Sequence, residues 1–174
     1  QPEQHQTKAD YGASHQSVED LAVMRAIPHI TVVVPSDITE TRMAVRAVAK
    51  HEGPVFLRLS REAVTQMYGE DHPFEIGKGV VLREGTDLTL IAAGTMVRVA
   101  LQSAEALAKD GIGARVIDMH TVKPIDADLV AAAARETGAI VTVEEHNVFG
   151  GLGSAVCETV CERHPVPVVR VGIP

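Results

Sequence analysis

The chain has 174 residues, with 16 Lys and Arg against 23 Asp and Glu for a net charge of −7, and is 45% hydrophobic and 22% charged. That length holds one ordinary domain, or one domain plus part of another, and the composition excludes a disordered tail and a fibrous repeat. The acidic balance argues against a nucleic-acid binder, whose phosphate contacts need clustered cations, and no apolar run approaches the ~20 residues of a membrane helix.

The opening residues, Gln1 to Gln6, show no cationic region followed by an apolar core, so a cytoplasmic chain is expected. Ser17 to Arg25 reads as an amphipathic helix: a capping-type Ser, acids in the first turn, and Val18, Leu21, Ala22 and Met24 at helical spacing. Pro28 stops it. Ile30 to Val34 is β-branched from end to end, as suits a strand of a parallel sheet covered on both faces. Ser36 or Asp37 caps a second helix from Ile38 to Lys50, and Val55 to Leu59 is the next strand. Residues 60–78 hold no period and are broken by Gly69, Pro73 and Gly77, which marks a linker.

Beyond it the pattern is strand Val80 to Leu82, strand Leu88 to Ala92, helix Met96 to Lys109, strand Ala114 to Ile117, helix Asp126 to Arg135, strand Ile140 to Val143, helix Ser154 to Arg163 and strand Val166 to Val171. Alternation of this kind is α/β. The expected organisation is a partial parallel-sheet module over residues 1–66, a linker over 67–77, and a small three-layer α/β domain over 78–174. Two strands and two helices cannot cover both faces of a sheet, so the first module needs a further layer from upstream or from another chain.

Four places could carry chemistry. Asp10-Tyr11-Gly12-Ala13-Ser14-His15-Gln16 lies just ahead of a helix. There His15 could exchange a proton or hydrogen-bond a substrate oxygen, or serve as plain helix capping. Ser60-Arg61 follows a strand, where ligands gather in open parallel sheets. The guanidinium of Arg61 suits a phosphate, or pairs with Glu62 or Glu52 at the surface, while Arg58 serves the strand face. Glu144 to Ser154 runs from a strand into a helix, the position of phosphate-cradling turns. It lacks the third glycine of a dinucleotide fingerprint and begins with two carboxylates, so its glycines read as a tight turn and close helix packing. Asp118 to Asp126 reads as a turn and helix start, with His120 and Lys123 as minor candidates. Cys157 and Cys161 fall on one helix face as small apolar groups. His5, His29, His51, His72 and His164 form no metal-ligand spacing, so no metal site is expected.

Taken together, these strings resemble the carboxy-terminal half of transketolase-type thiamine diphosphate enzymes. The resemblance rests on Tyr11-Gly12-Ala13-Ser14-His15-Gln16 with Glu19-Asp20 and Arg25-Ala26-Ile27-Pro28, on Val34-Pro35-Ser36-Asp37, and on Leu59-Ser60-Arg61. It implies that residues up to about 66 are the latter part of a pyrimidine-binding domain and that residues from about 78 are the transketolase carboxy-terminal domain. It also implies that His15 faces the sugar substrate as the catalytic His and that Arg61 holds the substrate phosphate. Many relatives place Asp directly before the Gly; here Tyr11 stands there with Asp10 one position earlier, so both are candidate substrate contacts. The family's Gly-Asp-Gly and downstream Asn, and the glutamate that activates the aminopyrimidine, do not occur.

The expectation is therefore the carboxy-terminal section of a transketolase that transfers a two-carbon ketol unit between sugar phosphates. It is inactive alone and completed by an amino-terminal section in a homodimer or heterotetramer, with thiamine diphosphate and magnesium held mainly by residues outside this chain. Deoxyxylulose-phosphate synthase and the beta subunit of a 2-oxo acid dehydrogenase are built similarly and stand behind it, because Leu59-Ser60-Arg61-Glu62 is more like transketolase. A rival of another class is a non-catalytic module, in which the acidic carboxy-terminal domain supplies dimer contacts or docks a partner.

Overall fold

A computed structural model describes residues 17–60 and 64–174. The first helix, α1 (Asp20–Ala26), starts three residues after Ser17. Its N-cap is Glu19, which makes no side-chain cap bond, so the capping-type Ser17 lies two residues ahead of the cap position. The chain then forms β1 (Thr31–Val33), α2 (Ile38–Val48) and β2 (Val55–Leu57). Of the two expected caps for α2, Asp37 is the one used: its Oδ1 accepts from the Glu40 amide at 2.8 Å. β1 and β2 pair in parallel, Thr31 opposite Val55 and Val33 opposite Leu57.

The rest of the chain forms β3 (Val80–Arg83), β4 (Leu88–Ala92), α3 (Met96–Lys109), β5 (Ala114–Asp118), β6 (Thr121–Lys123), α4 (Ala127–Thr137), β7 (Ile140–Asn147), α5 (Leu152–Arg163) and β8 (Val168–Ile173). Five of these strands make one sheet in the order β3-β5-β4-β7-β8. β3 is antiparallel to β5 and every other pair is parallel.

The β4 sequence explains the layering. Leu90 and Ala92 point to one face and pack with Val97, Ala100 and Ala104 of α3, while Ile91 points to the other and packs with Val130, Ala133 and Ala134 of α4 and Val156 of α5. A strand apolar on both sides must be covered twice, and the expected three-layer α/β domain results. α4 ends at Gly138, whose φ of 70° places it in the left-handed region that glycine tolerates best.

The first module finds part of its missing cover inside the chain. Asp118 to Asp126 is not wholly a turn: Thr121–Lys123 is a strand, and it pairs antiparallel with β1, Val33 opposite Thr121 and Val32 opposite Lys123. The smaller sheet thus runs β2-β1-β6, and the apolar core of the α4/α5 face continues through it to Val32, Val34 and Leu21. Residues 64–79 form no helix or strand, yet they are tied down. The Asp37 Oδ2 accepts from the amides of Met67 at 2.7 Å and Tyr68 at 2.9 Å, and Tyr68 is buried. Among the described residues, no helix is long and apolar enough to cross a membrane.

Candidate functional site

β2 runs parallel to β1, and Arg58 immediately follows its carboxyl end, the side of a parallel sheet where ligands collect. The Arg58 guanidinium does not simply line the strand face. Its Nε donates to Asp20 Oδ2 of α1 at 2.8 Å, and its Nη2 donates to the carbonyls of Ser17 and Glu145, each at 3.2 Å. Its Nη1 stands 3.9 Å from Glu145 Oε2, an oxygen that also accepts from Thr95 Oγ1 at 2.9 Å. One planar fork therefore joins the segment entering α1, the end of β2 and strand β7, a use of several donors at once that a lysine could not reproduce. Asp10, Tyr11, His15 and Arg61 lie outside the described residues; Ser17 and Arg58, near neighbours of His15 and Arg61 in the chain, are hydrogen-bonded to each other.

The glycine-rich turn after β7 meets the same helix. Arg25 of α1 donates to the carbonyls of Gly150 at 2.6 Å and Gly151 at 3.2 Å, and pairs with Glu158 of α5. His146 is fully buried. Its Nδ1 lies 2.7 Å from the Asn147 carbonyl, which can only accept, so Nδ1 carries the proton and Nε2 is left to accept from the Ala22 amide at 3.4 Å. This neutral tautomer docks α1 on β7. Sequence reasoning missed it, since nothing near His146 in the chain signals a partner 124 positions away.

Glu144 fills the amino end of α5. Its Oε1 accepts from the Gly153 amide at 3.0 Å. Burial pushes its carboxyl up from the ordinary range, and the backbone amides of Gly153 and Leu152 partly offset this. A Cβ on Gly151 would overlap Glu144 Oε2, and one on Gly153 would stand 2.7 Å from Glu144 Oε1. The two glycines serve close packing, as their sequence context suggests, and the space they leave is taken by the chain's own carboxylate. The turn does not fit a diphosphate.

A third group of polar side chains is buried where α2, the connecting segment and the end of β5 meet. Asp118 Oδ2 accepts from Ser36 Oγ at 2.8 Å and from the Tyr68 hydroxyl at 2.5 Å. Glu40 Oε2 accepts from the Ser36 amide at 2.7 Å, and Glu40 Oε1 stands 3.1 Å from His72 Nε2. Tyr68 stacks on His72 with ring centroids 3.7 Å apart, and Phe74 covers His120. Burial first, and then the Glu40 charge, push the Asp118 carboxyl well up; burial holds His120 below its usual value. The sequence showed no such group because its members come from three separate segments. Of the minor candidates, His120 belongs to this interior, and Lys123 caps α1, its Nζ donating to the carbonyls of Arg25 at 2.8 Å and Ile27 at 2.6 Å. Cys157 and Cys161 are free; Cys157 is partly buried and Cys161 exposed.

The family model for the transketolase carboxy-terminal domain matches residues 77–174, and that for the transketolase pyrimidine binding domain matches residues 7–66. The chain belongs to the transketolase family. It is 47% identical over 162 residues to the 6-deoxy-6-sulfo-D-fructose transketolase subunit of Clostridium sp. (strain MSTE9), covering 93% of this chain and 50% of that protein. It is 47% identical over 164 residues to an apulose-4-phosphate transketolase subunit of Phocaeicola vulgatus, covering 94% of this chain and 52% of that one. A solved structure described as a split gene transketolase, inactive beta4 tetramer, superposes with a TM-score of 0.90 at 52% identity, covering 92% of this chain and 54% of that chain. 1-Deoxy-D-xylulose-5-phosphate synthases match as well, but this chain covers only 26% of the Trichormus variabilis enzyme. The chain spans about half the length of the transketolase subunits it matches. In transketolase terms, Arg58, Asp20 and Glu145 bind the pyrimidine-domain segment to the carboxy-terminal domain.

Proposed function

We propose that this chain is the carboxy-terminal section of a transketolase and that, joined by an amino-terminal section, it transfers a two-carbon ketol unit between sugar phosphates. In this reading His15 contacts the reacting sugar and takes part in catalysis, Arg61 holds the substrate phosphate, and Asp10 and Tyr11 contact sugar hydroxyls. The observation that carries it is the Arg58 fork: the carbonyl of Ser17, two residues after His15, is bonded to the arginine three residues before Arg61. Two stretches 41 positions apart are thereby held at one end of the sheet.

The family implies dependence on thiamine diphosphate, whose contribution when bound is carbanion stabilisation. The glycine-rich turn before α5 is filled by Glu144, which supports placing the diphosphate and its magnesium mainly on residues outside this chain. An assembly with an amino-terminal section, as a homodimer or heterotetramer, follows from the same reading, and relatives described as transketolase subunits support it. The sulfofructose and apulose-phosphate names of those relatives differ at equal identity, so identity alone assigns no sugar.

The test is reconstitution. The chain is mixed with an amino-terminal transketolase section, thiamine diphosphate and magnesium, and transfer from xylulose 5-phosphate to an aldose phosphate is followed. The expected result is turnover by the mixture and none by the isolated chain. Turnover by the chain alone would refute the split reading, and activity that requires pyruvate would assign the synthase chemistry instead.

A further inference from the structure

Glu40, His72 and Asp118 each present one ligand-type atom, and these three atoms all lie within 4.8 Å of one another. Glu40 and Asp118 are fully buried, and the His72 side chain is 5% exposed. Two carboxylates so placed repel each other unless a positive charge sits between them. A second observation points the same way: Asp118 Oδ1 and His120 Nε2 are buried and have no hydrogen-bond partner among the described residues. The His120 Nδ1 is already engaged with Thr121 Oγ1 at 3.0 Å, so the unpartnered nitrogen is the opposite one.

We propose that Glu40, His72 and Asp118 bind a first-row divalent cation of the zinc class. Three atoms with that spacing all lie within about 2.8 Å of a common point, so shifts of under ~1 Å reach the about 2.0–2.2 Å of zinc–nitrogen and zinc–carboxylate bonds. The donor set of imidazole and carboxylate suits zinc, manganese or iron better than calcium, which prefers six or more oxygens. The Tyr68 and Ser36 hydroxyls on Asp118 Oδ2 are hydrogen bonds of the kind that orient such a ligand. His72 also lines an open groove of about 420 Å³ with Met43, Arg46, Ala47, Lys50 and Phe74. An ion at this point ties α2, the connecting segment and the end of β5 together. Its role is to hold the two modules in register, and it does not depend on the transketolase reading.

Zinc alone is the probe. The full chain, stripped with chelator and dialysed, is titrated calorimetrically with zinc and melted with and without it. One zinc per chain and a higher melting temperature are expected. Cobalt in place of zinc should give visible bands without the thiolate charge-transfer absorption that Cys157 or Cys161 would produce. His72→Ala should weaken zinc binding at least tenfold, as should Asp118→Asn, whereas Cys157→Ser with Cys161→Ser should leave it unchanged. If Asp118→Asn fails to fold, His72→Ala decides, since His72 borders the groove. Absence of stoichiometric binding would overturn the proposal and identify the pair of acids as sharing a proton. So would binding that survives His72→Ala but is lost with the cysteines.

Discussion

Arg58 and Asp20 stand 38 positions apart in the chain and 2.8 Å apart in the fold, Nε to Oδ2, with both side chains less than a fifth exposed. Removing the guanidinium also strips a donor from the Ser17 and Glu145 carbonyls. Arg58→Ala is therefore expected to lower unfolding stability by about 1.5–3 kcal/mol, the range for hydrogen bonds to a charged group. Arg58→Lys should recover less than half, because an ammonium cannot span three acceptors in the geometry of the fork. Urea denaturation of the three proteins measures this; an unchanged midpoint for Arg58→Ala would show that the fork holds nothing.

The role proposed for Arg61 has its own signature. In the reconstituted enzyme Arg61→Ala should weaken transition-state binding of phosphorylated substrates by about 1.5–3 kcal/mol, as for a charge-assisted bond, and leave unphosphorylated analogues nearly unaffected. The ratio of kcat/KM for the two substrate classes is the readout, and equal losses would remove Arg61 from the phosphate site.

His15 separates chemistry from capping. His15→Ala should slow turnover of the assembled enzyme while the melting temperature of the chain stays close to the parent's. A fall in melting temperature that accounts for the lost activity would give the residue to helix capping instead.

Glu144 makes stability depend on pH in a direction opposite to that of most paired acids. Burial raises its folded carboxyl above the unfolded value, so the fold binds the proton more tightly than the open chain does. Its contribution is therefore most favourable below the unfolded value. It is lost as pH rises from the unfolded value through the raised folded one, and above that it is a constant penalty. Glu144→Gln keeps an oxygen for the Gly153 amide and removes the ionisation, so its stability relative to the parent should improve between pH 4 and pH 7, conditions chosen as roughly spanning an ordinary glutamate and neutrality. Urea midpoints at the two pH values test it; a relative stability that falls with pH would reverse the sign.

The turn before α5 should be intolerant of a methyl group. Gly150 has φ of 75°, and a Cβ there would stand 2.5 Å from Ala22 Cβ, whereas Gly111 has φ of 80° with nothing within 4 Å. Gly111→Ala should cost about 1–2 kcal/mol from backbone strain alone. Gly150→Ala should cost a further ~1–3 kcal/mol for overpacking. Thermal melts of the pair give the difference, and equal losses would show that α1 yields freely.

What the sequence alone determined is what neighbouring residues impose on one another. β4 and α3 fall where their residues place them, because a strand apolar on both sides and a helix apolar on one stripe are periodic signals carried within each segment. The glycines near Gly151 also declared close packing, and the spaced family motifs declared transketolase. Tertiary structure decided everything that depends on partners far away in the chain. Thr121-Val122-Lys123 is too short and too close to Pro124 to announce itself as a strand, and becomes one because β1 supplies its hydrogen bonds. Arg58 has the same guanidinium in any context, and only the approach of Asp20 and Glu145 makes it a fork between modules. Glu40, His72 and Asp118 carry no shared spacing; the Tyr68–Asp118 and Glu40–His72 contacts span 50 and 32 positions. The physical reason is that burial sets the strength of a polar interaction, and burial is a property of the packed core, which no local stretch of residues contains.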